Sequence, residues 1–229
     1  NQTVQKRKDS NAWHFMSLPS AMAFSDNGHF ATCPDVLDAN HSGTNDPFAG
    51  PTLWSGDLRI FANEPAGPAY NGSHLDMLHG SPYSMGIAAD SGNVFWLFDG
   101  YNKEIVSYEF SVDHGPGFSN HDNGKIHRYS EVVVTRLAGI PSHLVLDKTS
   151  GWLYICEPAN SRILRMNTKT GSKFQDAPNA MEILAEHWEM KGVTWEVYID
   201  SGLVKPSGID FADNRLFVSD YDNGNIIIY

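Results

Sequence analysis

The sequence predicts an all-β fold in which one four-stranded unit recurs four times around a ring. Three observations carry this. Four stretches can be superposed: "LPSAMAFSDNGHFATCPD" from Leu18, "PYSMGIAADSGNVFWLFDGYNKEIVSYEF" from Pro82, "IPSHLVLDKTSGWLYICEPANSRILRMN" from Ile140 and "KPSGIDFADNRLFVSDYDNGNIIIY" from Lys205. Each reads as a serine, a short apolar strand, an Asp/Asn/Gly turn, a second strand of aromatic and β-branched residues, a polar turn and a third strand. The aligned serines Ser20, Ser84, Ser142 and Ser207 lie 64, 58 and 65 residues apart, an interval that suits four strands plus loops, the unit of a β-propeller.

Further strands precede each repeat: "HLDMLH" before Ser84, "IHRYSEVVV" before Ser142 and "VTWEVYID" before Ser207. The last unit stops after its third strand, "NIIIY", so the segment 11–16, "NAWHFM", is expected to complete that blade and close the ring. The expectation is one domain over 1–229 with four blades; the rival is part of a larger propeller. Residues 36–56 read as an inserted loop before a third strand at "DLRIF". One stretch, "NAMEILAEHWEM", carries a weak helical period.

The units resemble NHL repeats, whose pattern runs roughly P-x-G-I-x-x-D-x-x-G, alternating apolar residues, then D-x-x-N-x-x-I. The match is strongest in the second and fourth units; the third has Glu157 at the Asp position. The resemblance implies a propeller used by scaffolds, binding domains and a few enzymes. NHL propellers usually have six blades. An NHL-type zinc lyase holds its metal with several inner-strand histidines, and at the matching positions Ala21, Met85, His143 and Gly208 only His143 is a ligand type.

The formal charge of −11 opposes a phosphate-binding surface, so nucleic acid is not expected as a partner. No apolar run reaches the ~18 residues of a membrane span. Sequons at Asn1, Asn40 and Asn71 point to a secreted, extracellular glycoprotein. Cys33 and Cys156 occupy equivalent second-strand positions in opposite blades, too far apart to bridge, and are expected as two buried thiols.

The loop "DHGPGFSNHDNG" groups Asp113, His114, His121 and Asp122, a candidate set for one divalent transition-metal ion, set against a reading as a rigid turn. It should emerge on the face opposite His143. His79 could reach the channel mouth beside His143. The turns at Asp99–Asn102, Glu157–Asn160 and Asp220–Asn223 recur in register, their carboxylates capping the turn. With Tyr83, Tyr101 and Tyr221 that face would suit a cationic or carbohydrate ligand. Two functions follow: an extracellular binding or assembly module with a protein, glycan or self partner, and a metal-assisted lyase or hydrolase acting on a small molecule at the channel mouth. No complete acid/base pair or ligand set converges in the sequence, which favours the first.

Overall fold

The computed structural model describes residues 4–12, 16–43, 45–63, 72–118 and 120–229. The chain folds as a four-bladed β-propeller. Blade I contains β1 (Pro19–Phe24), β2 (His29–Pro34), β3 (Thr52–Ser55) and β4 (His74–Met77), all antiparallel. Blade II contains β5 (Ile87–Ala89), β6 (Val94–Asp99), β7 (Glu104–Glu109) and β8 (Lys125–Tyr129). Blade III contains β9 (Leu144–Asp147), β10 (Trp152–Glu157) and β11 (Arg162–Asn167). The chain then leaves blade III as a hairpin, β12 (Ser172–Asp176) and β13 (Glu186–Lys191), and returns as the fourth strand, β14 (Trp195–Ile199). Blade IV has three strands among the described residues: β15 (Pro206–Ala212), β16 (Arg215–Asp220) and β17 (Asn225–Ile228).

Strand alternation gives each blade two apolar faces, and three seams are packed with them. Between blades I and II, Ala31, Leu53 and Leu75 meet Phe95, Leu97 and Tyr108. Between II and III, Trp96 and Phe98 meet Leu144, Leu153 and Ile155. Between III and IV, Tyr154 and Cys156 meet Leu216 and Val218. Each fully buried Leu or Phe is worth roughly 1.5–3 kcal/mol of transfer free energy, so the seams dominate the stability. The blades come close where glycine permits it: a Cβ on Gly86 would lie 2.0 Å from the Ser142 carbonyl oxygen.

Three expectations change. The third strand of blade I is Thr52–Ser55, inside the segment read as an insertion, while Asp57–Ala62 forms turns; Arg59 holds Asp57 through a two-pronged ion pair there. "NAMEILAEHWEM" forms no helix: its last residues enter β13, whose partners override a weak helical period. β13 also joins blade II, running parallel to β8 with Glu189 opposite Arg128, so that sheet has six strands. Of the expected closing segment 11–16, residues 13–15 lie outside the described residues. On either side the chain docks on blade I: Asp9 accepts hydrogen bonds from the backbone and hydroxyl of Ser73, Met16 N donates to Ala12 O at 2.8 Å, and Ala12 and Met16 pack on Phe30 and Trp54.

Cys33 and Cys156 are free and buried, as expected, and burial raises both thiol pKa values, that of Cys33 to about 12. Of the aligned serines, Ser20 Oγ donates to the carbonyls of Cys33 (3.1 Å) and Ser84, and Ser84 Oγ to Ser81 O. Ser142 Oγ is buried with no hydrogen-bond partner.

Candidate functional site

The recurrent turns have the role expected of them. Asp99 Oδ1 accepts the N–H groups of Tyr101 (3.0 Å) and Asn102 (2.9 Å), and Asn102 Nδ2 donates to Oδ2 at 2.8 Å. Glu157 accepts from Thr135 N and Asn160 Nδ2, both at 2.7 Å, and from Arg162. Asp220 accepts from Val204 N and Lys205 N at 2.8 Å. Burial alone would raise the Asp220 pKa; those backbone donors outweigh it and lower it.

On blade II a buried arginine joins this frame. Arg128, in β8, is buried beneath the turn and uses every face of its guanidinium. Nη1 lies 2.6 Å from Glu104 Oε1 and 3.2 Å from Asp99 Oδ2, Nη2 donates to the Gly80 carbonyl, and Nε donates to His187 Nε2 at 3.0 Å. His187 comes from β13. Burial and then the neighbouring guanidinium hold its pKa down to about 4, so it stays the neutral imidazole that an acceptor must be. Glu104 is pushed up to about 7 by burial, with Arg128 opposing and the carboxylates of Asp99 and Glu189 adding to the rise.

Above this network opens a cleft of about 440 Å³, whose polar walls include Tyr101, Asn102, Glu104, Asn179 and Glu189. Glu189 Oε2 accepts from Ser130 Oγ at 3.2 Å, and Tyr101 is half exposed at the rim. Because Arg128 is committed to protein partners, the cleft offers a ligand mainly carboxylate oxygens. That chemistry receives hydrogen-bond donors and cations.

The loop from Asp113 divides. His121 Nδ1 lies 2.9 Å from Asp76 Oδ1, and His114 Nδ1 3.7 Å from Asp76 Oδ2; Asp76 is wholly buried in β4 of blade I, and burial raises its pKa. Burial alone would lower the His121 pKa; the Asp76 hydrogen bond, together with the charges of Glu182 and Asp76, outweighs it and raises it. Asp113 instead faces His29 at 3.7 Å and caps Gly115 N at 2.7 Å, and Asp122 is exposed. Among the described residues no group of three or more His, Cys, Asp or Glu side chains is placed to hold a metal ion. The loop fastens blade II to blade I.

The other expected residues are spread out. His79 does not stand at the channel mouth with His143: its Nδ1 meets Glu182 Oε2 at 2.6 Å, its ring stacks on Phe48 at 3.8 Å, and it faces His121 edge-on at 5.9 Å. His143 lines the channel with Ala21 and Val145, and burial lowers its pKa. Tyr83 lies under the Arg136 guanidinium at 4.5 Å, and Arg136 pairs with Asp35 at 2.7 Å. Tyr221 is exposed on blade IV, so of the three tyrosines Tyr101 alone lines the cleft. Asn40 is exposed in a turn, its N–H donating to Asp38 Oδ1 at 2.8 Å; Asn1 and Asn71 lie outside the described residues.

Sequence reading placed Tyr101 and missed Glu104, Arg128, His187 and Glu189. The alternation in "EHWEMK" signals a strand, yet nothing local says that it pairs with β8.

Fold and cleft together define a β-propeller with a polar side cleft on its turn face. No family model matches the chain, and no curated protein matches it by sequence. It is similar in structure to a luciferin-regenerating enzyme, with 11% identity over 87% of this chain and 52% of that one and a TM-score of 0.44. It is also similar to a protein of unknown function from Bacteroides thetaiotaomicron (8% identity, 90% and 46% covered, TM-score 0.49). A third likeness is to an auxiliary nutrient binding protein from Bacteroides ovatus (13% identity, 92% and 59% covered, TM-score 0.40). The chain spans about half the length of these structures, and none of them assigns it a site or a reaction.

Proposed function

We propose that this propeller of NHL-like blades is an extracellular binding module whose cleft on blade II takes a small ligand rich in hydrogen-bond donors, a sugar or an organic cation. The observation that carries this is the pair of carboxylates, Glu104 and Glu189, on the walls of an open cleft of about 440 Å³ with a half-exposed tyrosine at its rim. Tyr101 offers a ring face for a sugar or an ammonium group. The exposed sequon at Asn40 supports the extracellular setting. Among the described residues, the lyase or hydrolase reading has only His143 to build on at the channel.

The test is calorimetric titration with D-glucose, N-acetylglucosamine and spermidine on the parent protein and on Tyr101→Ala and Glu189→Gln. Binding of at least one probe, weakened tenfold or more in both variants, about 1.4 kcal/mol or more, supports the cleft. Binding that both variants retain, or no binding of any probe, overturns it.

A further inference from the structure

Three carboxylates stand at the cleft on blade II: Asp99 at the end of β6, Glu104 at the start of β7 and Glu189 in β13. Two cations answer them. Arg128 Nη1 lies 2.6 Å from Glu104 and 3.2 Å from Asp99, and Lys191 Nζ stands 3.3 Å from Ser130 Oγ, the hydroxyl that donates to Glu189. The other ionisable groups around Glu104 do not make up the difference. His187 accepts from Arg128 Nε, and burial and that guanidinium keep its ring neutral; Tyr108 is a buried phenol bonded to Ser81 Oγ at 2.6 Å; Glu182 turns its carboxylate to His79. Arg136, against Gly100 in the same turn, is taken by Asp35, and Lys103 is exposed to solvent, where its charge is screened.

Glu104 is also the group with an oxygen to spare. It is 6% exposed and lines the cleft, yet only Oε1 is engaged, by Arg128; Oε2 takes no hydrogen bond among the described residues. A buried carboxylate in that position has two ways to complete its surroundings: it keeps a proton, or it accepts a cation from outside. The protein alone takes the first way in acid, because burial pushes Glu104 up to about 7 against the pull of Arg128.

Building on the cleft as the binding site, we propose that its ligand is an organic cation that exchanges with a proton: as an ammonium group settles between Glu104 and Glu189, the Glu104 carboxyl gives up its proton to water. One positive charge enters and one leaves, so the balance of charge in the cleft is the same before and after. A neutral sugar makes no such exchange, because its hydroxyls donate to a carboxyl or a carboxylate without bringing charge. Tyr101 at the rim and Pro178 and Met181 on the wall give the carbon part of the ligand an apolar surface. The site therefore takes its ligand at neutral to basic pH and releases it on acidification.

Calorimetric titration with benzylamine, its uncharged counterpart benzyl alcohol, and D-glucose tests this between about pH 6 and about pH 8, a range over which an alkylammonium group stays charged. In the parent protein, benzylamine should bind at least about tenfold more tightly than either neutral probe at about pH 8. Its affinity should rise roughly tenfold from about pH 6 to about pH 8, with about one proton released per ligand at the acid end, read from buffers of unlike ionisation heat. Glu104→Gln, checked for folding by circular dichroism, should bind more weakly and without pH dependence; the proton release in the parent stands whether or not that variant folds. Benzylamine binding that releases no proton, a pH dependence that Glu104→Gln keeps, or equal binding of a neutral probe overturns the exchange and leaves the cleft as a binding site. Absence of benzylamine binding also overturns it, and the cleft itself falls only if D-glucose, N-acetylglucosamine and spermidine fail to bind as well.

Discussion

Blades II and IV are read from the two best-matching repeats in the sequence, yet they differ in how they are held. Blade II has neighbours on both faces and a two-strand extension on its edge; Phe95, Leu97, Phe98, Ile105 and Val106 are wholly buried. Blade IV has three strands among the described residues, one packed face and one open, with Ile226 and Ile228 in solvent. The same repeat therefore makes a fully packed blade in one place and a half-packed one in another. Neighbours, more than the repeat itself, decide local stability.

The sharpest test of that contrast is Arg128→Met. It removes the cation shared by Glu104 and Asp99 in a buried site, and should cost about 3–5 kcal/mol in denaturant unfolding. A loss below about 1 kcal/mol would show that blade II does not depend on its charged centre. Phe98→Ala should cost a similar ~3–5 kcal/mol through the cavity it leaves, against about 0.5 kcal/mol or less for Ile228→Ala. Equal losses would erase the difference between the blades.

The next effect is in pH. With the Glu104 pKa raised from 4.5 to about 7, the folded state binds more protons than the unfolded one between those values, so Glu104 makes stability fall as pH rises through that window. His187, lowered from 6.5 to about 4, acts oppositely: its contribution is lost as pH falls from 6.5 towards 4. The stability difference between the parent and Glu104→Gln, measured by unfolding at several pH values, should isolate the first trend. A difference that is flat across the window would contradict it. The smallest effect is chemical: Cys33 and Cys156 should resist thiol labelling in the native state and react on unfolding.

The blades were legible because their hairpins are local. Alternation and Asp/Asn/Gly turns announce β5 to β7 and β15 to β17 within some 25 residues each, and the Asp99 and Asp220 turns bond as their spacing implies. β3 was hidden because Gly50, Pro51 and Gly56 around "TLWS" read as loop chemistry. The cleft was hidden for a stronger reason. Glu189 lies opposite Arg128 through a parallel pairing between β8 and a hairpin that joins its sheet only after the chain has passed through blade III, and neither segment carries a mark of the other. His114 and His121 attracted notice as a loop pair, but the group that organises them, Asp76, arrives from blade I.

The hairpin β12–β13 has a mechanical consequence. It leaves blade III after β11, lies along the edge of blade II, and returns to blade III as β14, so the two middle blades are laced by the chain itself. Under a stretching force applied at the two ends, the outer blades should peel away first at low load. Blades II and III should then yield together, as one long step, once the parallel bonds between β13 and β8 are sheared.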